Sequence, residues 1–223
     1  SRDKRDFKDV LSDAQKKGFA ELDPTFDIQG IDAGHKISIL SSLAFNIKVD
    51  FKSTYIEGIS RIDASDFIYA KELGYSIKLL AIAAINGSQV EQRVHPCFVK
   101  QDSDISKVDN ELNAIVVNDS VIGSNIFEGP GAGAGPTGAS VMSDLMDILR
   151  GTYILPLGSS TKKKKKPKIK KISDLKFPYY LRIFAKDESG VLASITKVLS
   201  LHKISIESII QKPSKKKNYA EII

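Results

Sequence analysis

Residues 75–99 read YSIKLLAIAAINGSQVEQRVHPCFV. The segments YSIKLLAIAAI and QVEQRVHPCFV are rich in Ile and Val and flank Asn86-Gly87, the strongest short-range hairpin signal. A second unit of the same kind follows, with NAIVV (113–117) and VIGSNIF (121–127) around Asn118-Asp119. The pattern predicts antiparallel neighbours in one sheet. On the N-terminal side, residues 6–18 place Phe7, Val10, Leu11 and Ala14 at helical spacing and close on Gly18. Residues 32–46 and 63–74 carry two more helical patterns, the second ending on Gly74. Between the first two helices, Pro24 and Gly30 exclude a continuous helix, so residues 19–31 read as a loop. After the hairpins, GPGAGAGPTG (129–138) leads into an amphipathic helix, ASVMSDLMDILR (139–150). The fold class expected is α+β, a largely antiparallel sheet covered by helices.

The 223 residues are 42% apolar and 27% charged, ordinary for a globular chain. No apolar run approaches the ~20 residues of a membrane span, and no charged-then-apolar leader opens the sequence. A single cysteine, Cys97, excludes an internal disulfide and a Cys-based metal cluster, and three scattered histidines do not make a metal centre. No metal is expected, and a reducing, cytoplasmic setting is. The net charge of +6 is divided: residues 1–150 carry 16 Lys/Arg against 22 Asp/Glu, and residues 151–223 carry 17 against 5. The chain opens without Met and stops in NYAEII, as a strand begins, which suggests a piece of a longer polypeptide.

The basicity centres on residues 159–176, SSTKKKKKPKIKKISDLK, which lack apolar periodicity and read as a solvated, disordered linker. Without interleaved aromatics or a nucleic-acid fold, this run does not argue for nucleic acid. Beyond it, YYLRIFAK (179–186), DESG (187–190), VLASITKVLSLHK (191–203) and ISIESIIQK (204–212) read as strand, turn, helix and strand, a compact βαβ unit.

The stretch richest in chemistry is FAELDPTFDIQGIDAGHK, residues 19–36. Glu21, Asp23, Asp27 and Asp32 fall within twelve residues around a proline and a glycine that bend the backbone. Carboxylates this close raise one another's pKa unless a cation answers them. Lys36 lies one helical turn after Asp32, on the same face. Such a cluster can bind a cationic small molecule, or hold a lysine protonated for acid–base work. It can equally be a solvated acidic loop with an i,i+4 ion pair. A calcium loop is excluded, because the acids do not fall at EF-hand spacing.

Residues 18–36 match G-[YF]-A-E-x-D-P-x-x-D-x-x-G-x-D-x-x-x-K at every fixed position, and so resemble the signature of homoserine dehydrogenases. The likeness continues through ELGYSIKLLAIA (72–83), RVHP (93–96), NAI (113–115) and GPGAGAGPTGASVMSDL (129–145). The resemblance implies NAD(P)-linked interconversion of L-homoserine and L-aspartate 4-semialdehyde, in the pathway to threonine, methionine and isoleucine. It implies that Glu21 binds the amino-acid end of the substrate and that Asp32 binds near its hydroxyl. Lys36 is then the proton donor, with Asp27 a further acid of the site that orients it. Asp23, beside Pro24, is left as structural. Reducing an aldehyde by hydride builds negative charge on its oxygen, which an ammonium stabilises and protonates. A lysine pKa near ~10.4 in water keeps that group charged at neutral pH.

The glycine segment contains G-x-G-x-x-G at Gly133, Gly135 and Gly138, but Pro136 interrupts it and no parallel βαβ unit follows, so it is no Rossmann fingerprint. By residue type it is either a tight turn or an anion site at a helix start. By the resemblance it is a second contact with the dinucleotide, through Gly133 and Thr137. Family members carry an N-terminal Rossmann domain and a further lysine, neither of which is in these residues, so the chain by itself is expected not to turn over.

Residues 177–212 resemble the opening of an ACT domain, with Asp187, Gly190 and Val191 in its turn. That resemblance implies pairing through sheets, a homodimer or higher homo-oligomer, and threonine as effector near Asp187 and Gly190. The organisation expected is a catalytic domain over 1–158, a basic linker over 159–176 and a partial ACT-like regulatory module over 177–223. Two other readings exist, a non-catalytic amino-acid-sensing ACT protein and a nucleic-acid-associated protein. His35 reads as a surface residue, His95 as structural, and Cys97 as a small apolar residue with no nucleophilic partner nearby in sequence.

Overall fold

A computed structural model of the chain describes residues 7–16, 18, 22–110, 112–152, 155–158, 164–214 and 216–223. Its contacts group the chain into two compact units, Ser1–Leu175 and Lys176–Ile223.

In the first unit, helix α1 (Phe7–Lys16) stops where Gly18 takes φ +73° and donates its amide to the Gln15 carbonyl. The next segment contains one helical turn, α2 (Thr25–Ile28), so the region read as loop is partly helical. Proline at 24 permits this, because the first turn needs no amide from it. Gly30, at φ +75°, separates α2 from α3 (Ile31–Phe45). A short strand, β1 (Tyr55–Ile56), is followed by α4 (Ala64–Glu72), where the Asp66 carboxylate accepts the Asp63 amide at 2.8 Å.

Strands β2 (Tyr75–Asn86) and β3 (Gln89–Lys100) pair antiparallel over their full length. The turn is centred one residue later than the Asn-Gly pair, on Gly87-Ser88, with positive φ at Gly87 alone. Alternate residues of β3 point inward: Val90, Gln92 and Val94 are buried, and α3 packs across this face. β1 pairs with β3 in parallel at Arg93 and Val94. After a helical turn, α5 (Asp104–Lys107), come β4 (Leu112–Asp119) and β5 (Gly123–Pro130). They form a separate two-stranded sheet rather than joining the first. Their three-residue loop is held by Asp119, whose carboxylate accepts the Val121 and Ile122 amides and lies below the usual carboxylate range for that reason. Helix α6 (Ala134–Leu149) starts within the glycine segment, five residues earlier than its apolar pattern indicates.

α3 buries an uncommon stripe: Gly34, Ile37, Ser38, Ser41 and Ser42 face the sheet, while Ile39 and Leu43 are exposed. Every hydroxyl is satisfied, Ser38 by the His35 carbonyl, Ser41 by that of Ile37 and Ser42 by that of Ile47. Small residues let the helix lie close. A Cβ on Gly34 would stand 2.5 Å from Ile56 Cδ1.

The basic segment is not the solvated linker that its charge suggests. Residues 159–163 lie outside the described residues, but residues 164–170 pack on the body. Lys164 is 4% exposed, Lys165 bridges to Ile47, and β6 (Lys168–Ile169) pairs in parallel with Gln89 and Val90 of β3. Helix-terminal carbonyls and a free strand edge offer partners to lysine side chains and backbone, and these override like-charge repulsion.

In the second unit β7 (Ile183–Lys186), α7 (Val191–Leu201), β8 (Gln211–Pro213) and β9 (Tyr219–Ile222) make a three-stranded sheet in the order β7-β9-β8. The two strands flanking the helix are therefore not neighbours; β9 lies between them, antiparallel to both. Its Ala220 and Ile222 are the buried residues among those described in this unit. Residues 204–209, expected in strand, are irregular, and the ladder begins at Ile210, which exchanges hydrogen bonds with Ile223.

Candidate active site

The acid loop is built from its turns. The Asp23 carboxylate accepts the Thr25 hydroxyl at 2.5 Å and the Thr25 amide at 3.1 Å, which fixes the entry to α2 and holds this carboxyl below the usual range. Because the shift is downward, its small contribution to stability is present at neutral pH and fades as pH falls through the folded value. Asp27 is exposed on α2, and Glu21 lies outside the described residues. Asp32 stands in the first turn of α3, where an acid suits the helix dipole, and its Oδ2 meets Lys36 Nζ at 2.6 Å. The two side chains are 44% and 64% exposed, so the pair is open to an approaching ligand and adds little to stability.

What holds this pair in place is backbone fit. Gly30 rests on Val94 and Ile56, and His35 stacks on Phe51 with ring centroids 3.8 Å apart. From the other side, the Ile59 amide donates to the Ile28 carbonyl at 2.9 Å, and Gly58 lies directly against Ile28 and Gln29. A cleft of about 540 Å³ opens between these segments, lined by Gln29, Tyr55, Glu57, Ser60 and Arg61 among others. The Tyr55 hydroxyl donates to Glu57 at 2.9 Å. The cleft shares Gln29 and Ile31 with the acid loop, whereas Asp27, Asp32 and Lys36 do not line it. Neither Gly58 nor this cleft was apparent from the sequence, since a glycine in a polar loop has no local pattern that marks a tertiary contact.

The glycine segment lies elsewhere in the unit, in the turn between β5 and α6. Gly133 caps α6 at φ +108°, and the Thr137 amide donates to its carbonyl at 3.1 Å. A Cβ on Gly135 or Gly138 would meet nothing within 4 Å, so this helix start presents bare backbone to open space. In the second unit Gly190 caps α7 at φ +87°, and the Asp187 carboxylate accepts from Gln211 Nε2 at 3.4 Å. Among the described residues no His, Cys, Asp and Glu come together to hold a metal ion, and no helix is long and apolar enough to cross a membrane.

Cys97 has a neighbour that sequence did not suggest: its sulfur lies 3.3 Å from His95 Nδ1. The ring is no base for it. His95 Nε2 accepts the Arg93 Nε–H, so the ring's own proton is on Nδ1. Burial pushes the thiol up to about 11, against a lowering influence of Arg93. Iodoacetamide at pH 8 is expected to label Cys97 about 10²-fold more slowly than a free thiol, with denaturant restoring the normal rate.

Comparison with known proteins agrees with this architecture. A profile of the homoserine dehydrogenase family matches residues 1–146, and one of the ACT domain matches residues 179–223. The homoserine dehydrogenase of Neisseria gonorrhoeae is 42% identical over 97% of this chain, and that of Helicobacter pylori is 43% identical over 97%. In each case the matched region is 51% of the relative, so the chain spans about half the length of the curated relatives it matches. The crystal structure of a homoserine dehydrogenase from Thiobacillus denitrificans superposes with a TM-score of 0.87 at 39% identity, covering 99% of this chain and 51% of that one. With the family profile covering most of its length, the chain belongs to the homoserine dehydrogenase family.

Proposed function

We propose that this chain is the substrate-handling part of a cytoplasmic enzyme that interconverts L-homoserine and L-aspartate 4-semialdehyde with NAD(P). The observation that carries the reading is the Asp32–Lys36 pair, 2.6 Å apart at the start of a helix that follows the turn carrying Asp27. In this reading the Lys36 ammonium donates its proton to the oxygen that gains charge as the aldehyde is reduced, and takes it back in the oxidising direction. Asp32 holds the ammonium in place and binds beside the hydroxyl, Glu21 would bind the amino-acid end of the substrate, and Asp27 is a further acid of the substrate site that orients Lys36.

Gly133 and Thr137, at the open glycine-rich start of α6, would hold one edge of the dinucleotide, where a bare backbone and first-turn amides suit a phosphate. The dinucleotide supplies the hydride carrier; these residues position it. Domains over 1–158 and 177–223 are part of the same reading. So are assembly as a homo-oligomer and an amino-acid effector, threonine, received at Asp187 and Gly190.

The test is to assay homoserine-dependent cofactor reduction by the 223 residues alone, and again joined to a nucleotide-binding half from a relative. The isolated chain is expected to be inactive and the joined protein active. A joined protein that folds, binds dinucleotide and leaves homoserine unchanged would defeat the reading.

A further inference from the structure

Among the described residues of the basic segment, Lys164 is the most buried charged side chain, at 4% exposure, and it is aimed at one place. Its Nζ donates to the Ser42 carbonyl at 2.8 Å and to Asn46 Oδ1 at 3.5 Å. Ser42 lies in the last turn of α3, and Asn46 is the left-handed residue that ends it, at φ 51°. A cation there answers the negative end of the helix dipole and carbonyls left without amide partners. An ammonium so buried costs free energy unless it is fully engaged, so its place is specified by those acceptors.

The same locus is tied several times over. The Ser42 hydroxyl donates to the Ile47 carbonyl at 2.6 Å, Ile47 bridges Lys165, and the Lys48 amide donates to the Lys165 carbonyl at 2.8 Å. Further along, β6 is laid along β3, and the Lys170 amide donates to the carbonyl of buried Val90 at 2.9 Å. Residues 164–170 thus form a strap from the C-terminus of α3 to the strand beneath it.

We infer that Lys164 is a positioning residue for the reaction: by pinning the C-terminal end of α3, it sets where the same helix holds Asp32 and Lys36. The inference rests on the function proposed above. From Ser42 back to Lys36 is about 9 Å of rigid helix, so a shift at one end is carried to the other. A misplacement of ~1 Å at a reacting group can cost on the order of 10²-fold in rate.

The experiment compares Lys164→Met, Lys164→Gln, Lys164→Arg and Lys165→Met in the complete enzyme. Two readouts are taken, steady-state kinetics per folded molecule and hydrogen exchange of the α3 amides. Lys164→Met is expected to lower kcat about tenfold, Lys164→Arg to recover most of the loss, and Lys165→Met, whose side chain is exposed, to stay within about twofold of the parent. Exchange in the first two turns of α3 should quicken about tenfold in Lys164→Met. If that variant does not fold, Lys164→Gln carries the same expectations at smaller size. A lower melting temperature with kcat and KM intact would overturn the inference, as would faster exchange confined to the last turn. An enzyme inactive on homoserine before any substitution would defeat the proposed function instead, and the exchange measurement would still decide the coupling.

Discussion

Replacing Lys36 with alanine is expected to lower kcat for homoserine-dependent cofactor reduction by a factor on the order of 10²–10⁴, the usual range for a positioned proton donor. On the proposed reading KM should change far less, because other groups would hold the substrate's amino-acid end. Folding should be nearly untouched: both members of the ion pair are substantially exposed, so its loss falls within about 0.5 kcal/mol. Lys36→Arg should restore little of the activity, since a planar guanidinium keeps the charge but neither the shape nor the proton-donating capacity of an ammonium. Lys165→Ala serves as the control for loss of a positive charge. Lys164 is unsuitable for that purpose because it is buried. A loss smaller than threefold in Lys36→Ala, with an intact melting curve, would remove Lys36 from the chemistry.

The second large effect is expected at a residue with no side chain. A Cβ at position 58 would lie 2.3 Å from the Ile28 carbonyl oxygen and 2.6 Å from Gln29 Cα. Both are backbone atoms, so no rotamer change relieves the clash. The two segments must separate, which breaks or stretches the hydrogen bond from Ile59 to Ile28. Gly58→Ala should therefore cost about 1–3 kcal/mol, like other overpacked sites. In a protein of this size that is roughly 2–4 °C in melting temperature for each kcal/mol. Because Ile28 and Gln29 lie between Asp27 and Asp32, the same change should raise KM for homoserine. Unchanged denaturation midpoints together with an unchanged KM would show that the loop yields at no cost.

Much of the local structure was legible because it is periodic. The β2–β3 hairpin shows its apolar runs and turn dipeptide, and helices α1 and α4 show their spacing and stops. The match at residues 18–36 pointed to Asp32 and Lys36, which the structure brings together in an ion pair. Other features were not legible, for physical reasons. Sheet membership depends on edges that meet through tertiary packing, so the β4–β5 hairpin looked like a partner of the first and is separate. The buried face of α3 is Gly and Ser apart from Ile37, so an apolar-stripe argument points to the wrong side of the helix. The lysine run reads as solvated because its neighbours in sequence repel, whereas the acceptors that order Lys164 lie in α3. Gly58 belongs to the same class, since closeness between two loops leaves no mark on either one.

The bond from Lys164 to Ser42 spans 122 positions. A ribosome adding roughly 5–20 residues per second needs about 6–24 s to cover that interval. Throughout that time the carbonyl of Ser42 at the rear of α3 lacks its cation. A product that ends before Lys164 would keep that end of the helix without its anchor.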